Sequence, residues 1–131
     1  GVRIVLDPAP ELVSLTADAS QIEQVLVNLV KNAIEACESL DSDARRVVIR
    51  TRPGASGGIA VEVEDPAPML APEILKRIGE PFFTTKADGL GLGLSISRTL
   101  LENYGCRLSI RPLDGGGKAF HFELPPPHEP D

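Results

Sequence analysis
The chain has 131 residues, of which 42% are hydrophobic and only 4% aromatic, with two cysteines and a formal net charge of −6. Such a length supports one domain with an aliphatic core, while the acidic balance argues against nucleic acid as the main partner, because phosphate backbones attract basic faces. The cysteines are too few for a disulfide framework, and no run of about 18 apolar residues marks a membrane span, so a reducing cytoplasmic setting is expected.

In chain order, "VRIVLD" and "LVSLTAD" alternate apolar and polar residues around the turn "PAPE", which predicts two short strands. "ASQIEQVLVNLVKNAIEACESL" has helical periodicity, with Asp18 or Ser20 as candidate N-cap. "RRVVIRTR" and "GIAVEVED" form a predicted hairpin around "PGASGG". "APEILKRIG" reads as a short helix with proline in its first turn. After "EPFFTTK" comes a glycine loop, then a helix to about Tyr104 that Gly105 terminates. "CRLSIRP", "DGGG" and "KAFHFELP" make a last hairpin, and the proline-rich end, residues 126–131, is expected to be a disordered tail. Strands at both ends with helices between define an α+β sandwich, its helices on one sheet face.

The long helix is informative. Stepping about 100° per residue from Ile22, Val25, Leu26, Leu29, Val30, Ala33, Ile34, Ala36, Cys37 and Leu40 fill one arc, which makes Cys37 a small core residue. Gln24, Asn28, Lys31, Asn32 and Glu35 fill the other. Asn28 and Asn32 lie at the border of the arcs, where a pocket wall belongs. Asparagine competes with the helix for backbone hydrogen bonds, and a plain solvent face favours Glu or Lys. An amide oxygen suits Mg²⁺, which takes oxygen ligands and keeps waters and phosphates in its shell. Asp65, at the end of "IAVEVED", offers a carboxylate to an exocyclic amine such as that of adenine. Gly89, Gly91 and Gly93 bare their N–H groups ahead of a helix, an arrangement that suits phosphate. Together these clusters describe an ATP site, although neither GxxxxGK[ST] nor GxGxxG is present.

With "NLVKNAIEA" (28–36), Asp65, "EPFFTTK" (80–86) and "GLGLGLSIS" (89–97) in this order, the chain resembles the catalytic ATP-binding domain of bacterial two-component sensor histidine kinases. That domain belongs to the superfamily that also contains the gyrase, heat-shock chaperone and mismatch-repair ATPases. The resemblance covers about residues 1–125. It implies a two-layer α/β sandwich of the Bergerat type, with a mixed, mostly antiparallel sheet and about three helices on one face. It also implies ATP and Mg²⁺ as cofactors: Asn32 ligates the metal, and Asn28, Lys31 and Lys86 attend the phosphates. Phe82 and Phe83 anchor the hinge of a short lid that Thr84 and Thr85 open, and Gly89, Leu90, Gly91, Leu92, Gly93 and Leu94 wrap the triphosphate. The implied partners are a helical dimerisation domain bearing the phosphoacceptor histidine and a response regulator, with the isolated fragment a monomer.

Three positions depart from the family pattern, all on the adenine side. Ala67 and Met69 stand where the first glycine motif has glycines, and Ala119 stands where a threonine commonly helps to hold adenine through water. Neither His121, on a strand, nor His128, in the tail, has the charged helical context of a phosphoacceptor. Asn28 also replaces the glutamate that serves as general base for water in the gyrase and chaperone branches, so hydrolysis is not expected. Two readings stay open: an ATP-presenting kinase domain, or a pseudokinase-like module that docks a response regulator or helical partner without turnover.

Overall fold
Period-two alternation in "IAVEVED" and "KAFHFEL" builds the centre of the sheet, since Val61, Val63, Phe120, Phe122 and Leu124 all turn one way and are buried. The computed structural model describes residues 3–7, 19–38, 40–55, 57–77 and 93–125. Its strands are β1 (Arg3–Asp7), β2 (Arg46–Pro53), β3 (Ile59–Asp65), β4 (Ser109–Pro112) and β5 (Lys118–Leu124). Its α-helices are α1 (Ala19–Ala36), α2 (Pro72–Arg77) and α3 (Gly93–Glu102). They assemble in the sheet order β1-β2-β3-β5-β4. Among the described residues only β1 and β2 pair in parallel, with α1 between them in the chain; the remaining neighbours are antiparallel. This is the mixed, mostly antiparallel α+β sheet with three helices expected from the sequence.

The core lies between the sheet and the helices. Val25, Leu29, Ala33 and Cys37 of α1, spaced at helical intervals, meet Val47, Val61, Val63, Phe120 and Phe122, with Leu101 from α3. Burying each of the larger side chains contributes about 1.5–3 kcal/mol. Helix α2, begun by Pro72, buries none of its side chains.

Three boundaries differ from expectation. Ser20 lies inside α1 and is not its cap; Asp18 lies outside the described residues. Helix α1 stops at Ala36 rather than Leu40, because the Cys37 N–H is shared between the carbonyls of Ala33 and Ile34, and Glu38 and Leu40 then bond three residues back. Arg45 ties this exit down by donating to the carbonyls of Leu40 (2.9 Å) and Glu38 (3.2 Å). Strand β4 starts at Ser109 rather than Cys106, because Cys106 is used in ending α3. Its N–H reaches the Leu101 carbonyl while Gly105, at φ 71°, bonds to Glu102; this is a Schellman motif, which favours glycine at the left-handed position. The predicted strand "LVSLTAD", the segment 78–92 and the tail 126–131 lie outside the described residues.

Candidate functional site: a helix polar face and a buried carboxylate
Helix α1 contributes the first part. Its core stripe fixes its rotation, leaving Asn28 and Asn32 half-buried beside the exposed Lys31. Asn28 Oδ1 accepts from Gln24 Nε2 (3.0 Å), and its Nδ2 donates to Ser97 Oγ (3.3 Å) on the neighbouring α3. Ser97 is fully buried. A second link, from the Tyr104 hydroxyl to Gln21 Oε1 (2.5 Å), holds the same two elements together at the other end. The Asn28–Ser97 bond thereby ties the first turns of α3 to the polar face of α1. Ser97 was not singled out from the sequence; its place within the "GLSIS" run, one turn beyond Gly93, was the available signal.

Strands β3 and β5 contribute the second part. Asp65 ends β3 on the core-facing side and pairs in register with Lys118 of β5. Its Oδ1 accepts from Lys118 Nζ (2.8 Å) and from the Ala67 backbone N–H (2.9 Å), so the carboxylate also shapes the turn that follows. Both side chains are out of water, at 3% exposure for Lys118 and 0% for Asp65. Asp65 Oδ2 is buried with no hydrogen-bond partner. Burial pushes the Asp65 carboxyl above the ordinary carboxylate range, and the Lys118 ammonium and Ala67 N–H offset that only in part. Cys37, at the exit of α1, is also buried; its thiol is raised by that burial and further by the charge of Asp65. Gly117, at φ 99°, lets β5 approach closely: a Cβ there would stand 2.5 Å from the Asp65 carbonyl oxygen.

The alternation of β5 separates two neighbours. Lys118 faces Asp65, whereas Ala119 pairs with Glu64 and Arg111 on the opposite face and is itself buried. Ala67 is buried beside Asp65, and Met69 is half-buried in the segment that follows. Leu94 packs against the core and lines a cavity of about 560 Å³ between α2, α3 and β4, to which Leu75, Arg98, Arg107 and Ile110 also contribute. No other expected site residue among those described lines it. Phe82, Phe83, Thr84, Thr85, Lys86, Gly89, Leu90, Gly91 and Leu92 lie outside the described residues. Among the described residues, no three His, Cys, Asp or Glu side chains cluster as a metal cage; Mg²⁺ asks less, one or two protein ligands being enough when phosphates complete its shell.

Comparison with known proteins shows the family and the fold. Residues 17–128 match the family model described as histidine kinase-, DNA gyrase B- and HSP90-like ATPase. The sensor protein FixL of Bradyrhizobium diazoefficiens is 42% identical over 124 residues, which is 95% of this chain and 24% of FixL. The catalytic domain of the histidine kinase ThkA superposes with a TM-score of 0.81 at 32% identity, covering 96% of this chain and 80% of that one. Full-length ShkA in complex with AMPPNP superposes with a TM-score of 0.78 at 29% identity, covering 95% of this chain and 26% of that one. The chain therefore belongs to the family of histidine kinase-, gyrase B- and HSP90-like ATPases, with the fold of a histidine kinase catalytic domain. It spans about a quarter of the length of FixL.

Proposed function
We propose that this domain binds Mg-ATP and presents the γ-phosphoryl group for transfer to a histidine on a separate helical dimerisation domain, within cytoplasmic two-component signalling that ends on a response regulator. The observation that carries the reading is Asp65 Oδ2, a buried acceptor without a partner. Leaving such an atom unpaired costs about 1–3 kcal/mol, a cost that an exocyclic amine donating to it removes. ATP supplies the phosphoryl group, and Mg²⁺ neutralises charge on the phosphates. Asn32 is the protein ligand to the metal, and Asn28 and Lys31 orient the phosphates from the same helix face. Asn28 is held in place by Gln24 and Ser97. The N-terminus of α3 adds backbone donors and a favourable dipole. Phosphoryl transfer asks chiefly for such positioning and charge compensation. Asn28 takes no proton at neutral pH, so these residues favour transfer over hydrolysis. His121 sits in β5, half-buried with Nδ1 3.4 Å from Glu62 Oε1, which makes it part of the sheet and not a phosphoacceptor.

Calorimetric titration with ADP and a non-hydrolysable ATP analogue, with and without Mg²⁺, tests the reading. Magnesium-dependent binding is expected, followed by phosphotransfer to a histidine domain supplied in trans that Asn32→Ala abolishes. Absence of binding at millimolar nucleotide favours a docking module without turnover. Ala67 and Met69, where the family pattern has glycines, point that way, and Ala67 is buried and tied by its N–H to Asp65.

A further inference from the structure
A buried ammonium has three protons to place. Lys118 Nζ places one, on Asp65 Oδ1 at 2.8 Å. The side chain is 3% exposed, so water does not freely take the other two. Beside it, Asp65 Oδ2 is a buried acceptor with nothing to accept. One ion pair thus presents an unsatisfied donor next to an unsatisfied acceptor, in a place where each costs free energy. The other groups that bear on Asp65 do not complete this set: the Ala67 N–H bonds to Oδ1, and the Cys37 thiol is a weak donor at the end of α1.

The Watson–Crick edge of adenine has the complementary order, with the N6 amine as donor beside N1 as acceptor. We propose that Lys118 is a second base-reading residue: its ammonium donates to N1 of adenine while the N6 amine donates to Asp65 Oδ2. The inference rests on the nucleotide-binding reading and adds a direct contact on the base. The register of the two strands supports it. Asp65 and Lys118 are cross-strand partners, and Gly117 draws β5 against the backbone of Asp65, so both heads emerge at one point of the sheet.

An analogue with carbon in place of N1 tests this without altering the protein. Affinities for ADP and 1-deaza-ADP are measured by calorimetry on the wild-type chain and on Lys118→Met, with thermal melts establishing that the variant is folded. Wild type is expected to prefer ADP by about 10- to 100-fold, the range for a hydrogen bond to a charged group. Lys118→Met is expected to bind the two alike. A lysine that only supports Asp65 would weaken both ligands together and leave their ratio unchanged. Equal affinity of wild type for ADP and its 1-deaza analogue overturns the inference while leaving nucleotide binding intact. A preference that persists in Lys118→Met also overturns it. If neither nucleotide binds wild type at millimolar concentration, the inference and the nucleotide-binding reading fall together.

Discussion

Strand β3 carries ion pairs on both of its faces, and they differ in what they leave undone. On the outer face, Arg50 meets Glu64 and Arg111 meets Glu62, each at 2.6 Å, with the arginine side chains 30% and 52% exposed. Water and salt screen such pairs, and they contribute little. On the helix face, Asp65 and Lys118 are sealed from water. Glu62 Oε2 and His121 Nδ1 on the outer face are also buried without hydrogen bonds, but they lie in one cluster with a half-exposed guanidinium. Asp65 Oδ2 sits in a dry pair whose only cation is already engaged through the other oxygen. The outer pairs dress a surface; the inner pair is an expensive arrangement that leaves one buried oxygen without a partner, which is the atom the proposed reading gives to a base. Buried ion pairs are often no more stable than apolar replacements, so stability alone does not explain why this one is present.

Several variants sharpen the contrast. Lys118→Met should be the most damaging, destabilising the domain by about 3–5 kcal/mol because it strands a buried carboxylate. Chemical denaturation should show much of that loss recovered when Asp65→Leu is added. Gly117→Ala comes next: a positive φ costs a side chain about 1–2 kcal/mol, and the new Cβ meets the Asp65 carbonyl. It should therefore lower both stability and nucleotide affinity. Arg111→Met should be mildest, within about 0.2–1 kcal/mol and shrinking further in high salt.

The two faces should also respond to pH in opposite directions. Burial raises the Asp65 carboxyl, so the folded state holds that proton more tightly than the unfolded chain. Its contribution is then fully present below the ordinary carboxylate range and is lost as pH rises through the raised value. Burial also pushes Glu62 up, but the hydrogen bond and charge of Arg111 outweigh it and the net shift is downward. That contribution is present above the ordinary range and is lost as pH falls through the lowered value. Denaturation midpoints across the acid range should show Asp65→Asn removing the first dependence and Glu62→Gln the second.

Much of this was legible in the sequence because it rests on period and punctuation. The stripe Val25-Leu29-Ala33-Cys37 set the buried side of α1 and so located Asn28 and Asn32 at its border. Gly105 marked the end of α3, and the alternation of "IAVEVED" and "KAFHFEL" marked the central strands. Long-range register was not legible. Lys118 lies in phase with Phe120, Phe122 and Leu124, which puts it on the core face, but only the pairing with β3 reveals that its partner is Asp65. The same alternation turns Ala119 away from Asp65, which a motif read position by position does not register. The link from Asn28 to Ser97 spans 69 positions and is likewise a product of packing. The end of α1 was overestimated because its apolar period runs on to Leu40 while Arg45, from the next segment, draws the exit carbonyls aside.

The central claim is that the inner pair is the base-binding end of a nucleotide site. The most direct test is a calorimetric titration of ADP with Mg²⁺ into the wild-type chain and into Asp65→Asn, which keeps the size of the side chain and removes its charge. The account predicts saturable binding to wild type and a loss of at least about tenfold in the variant. Equal affinity in the two proteins would contradict it.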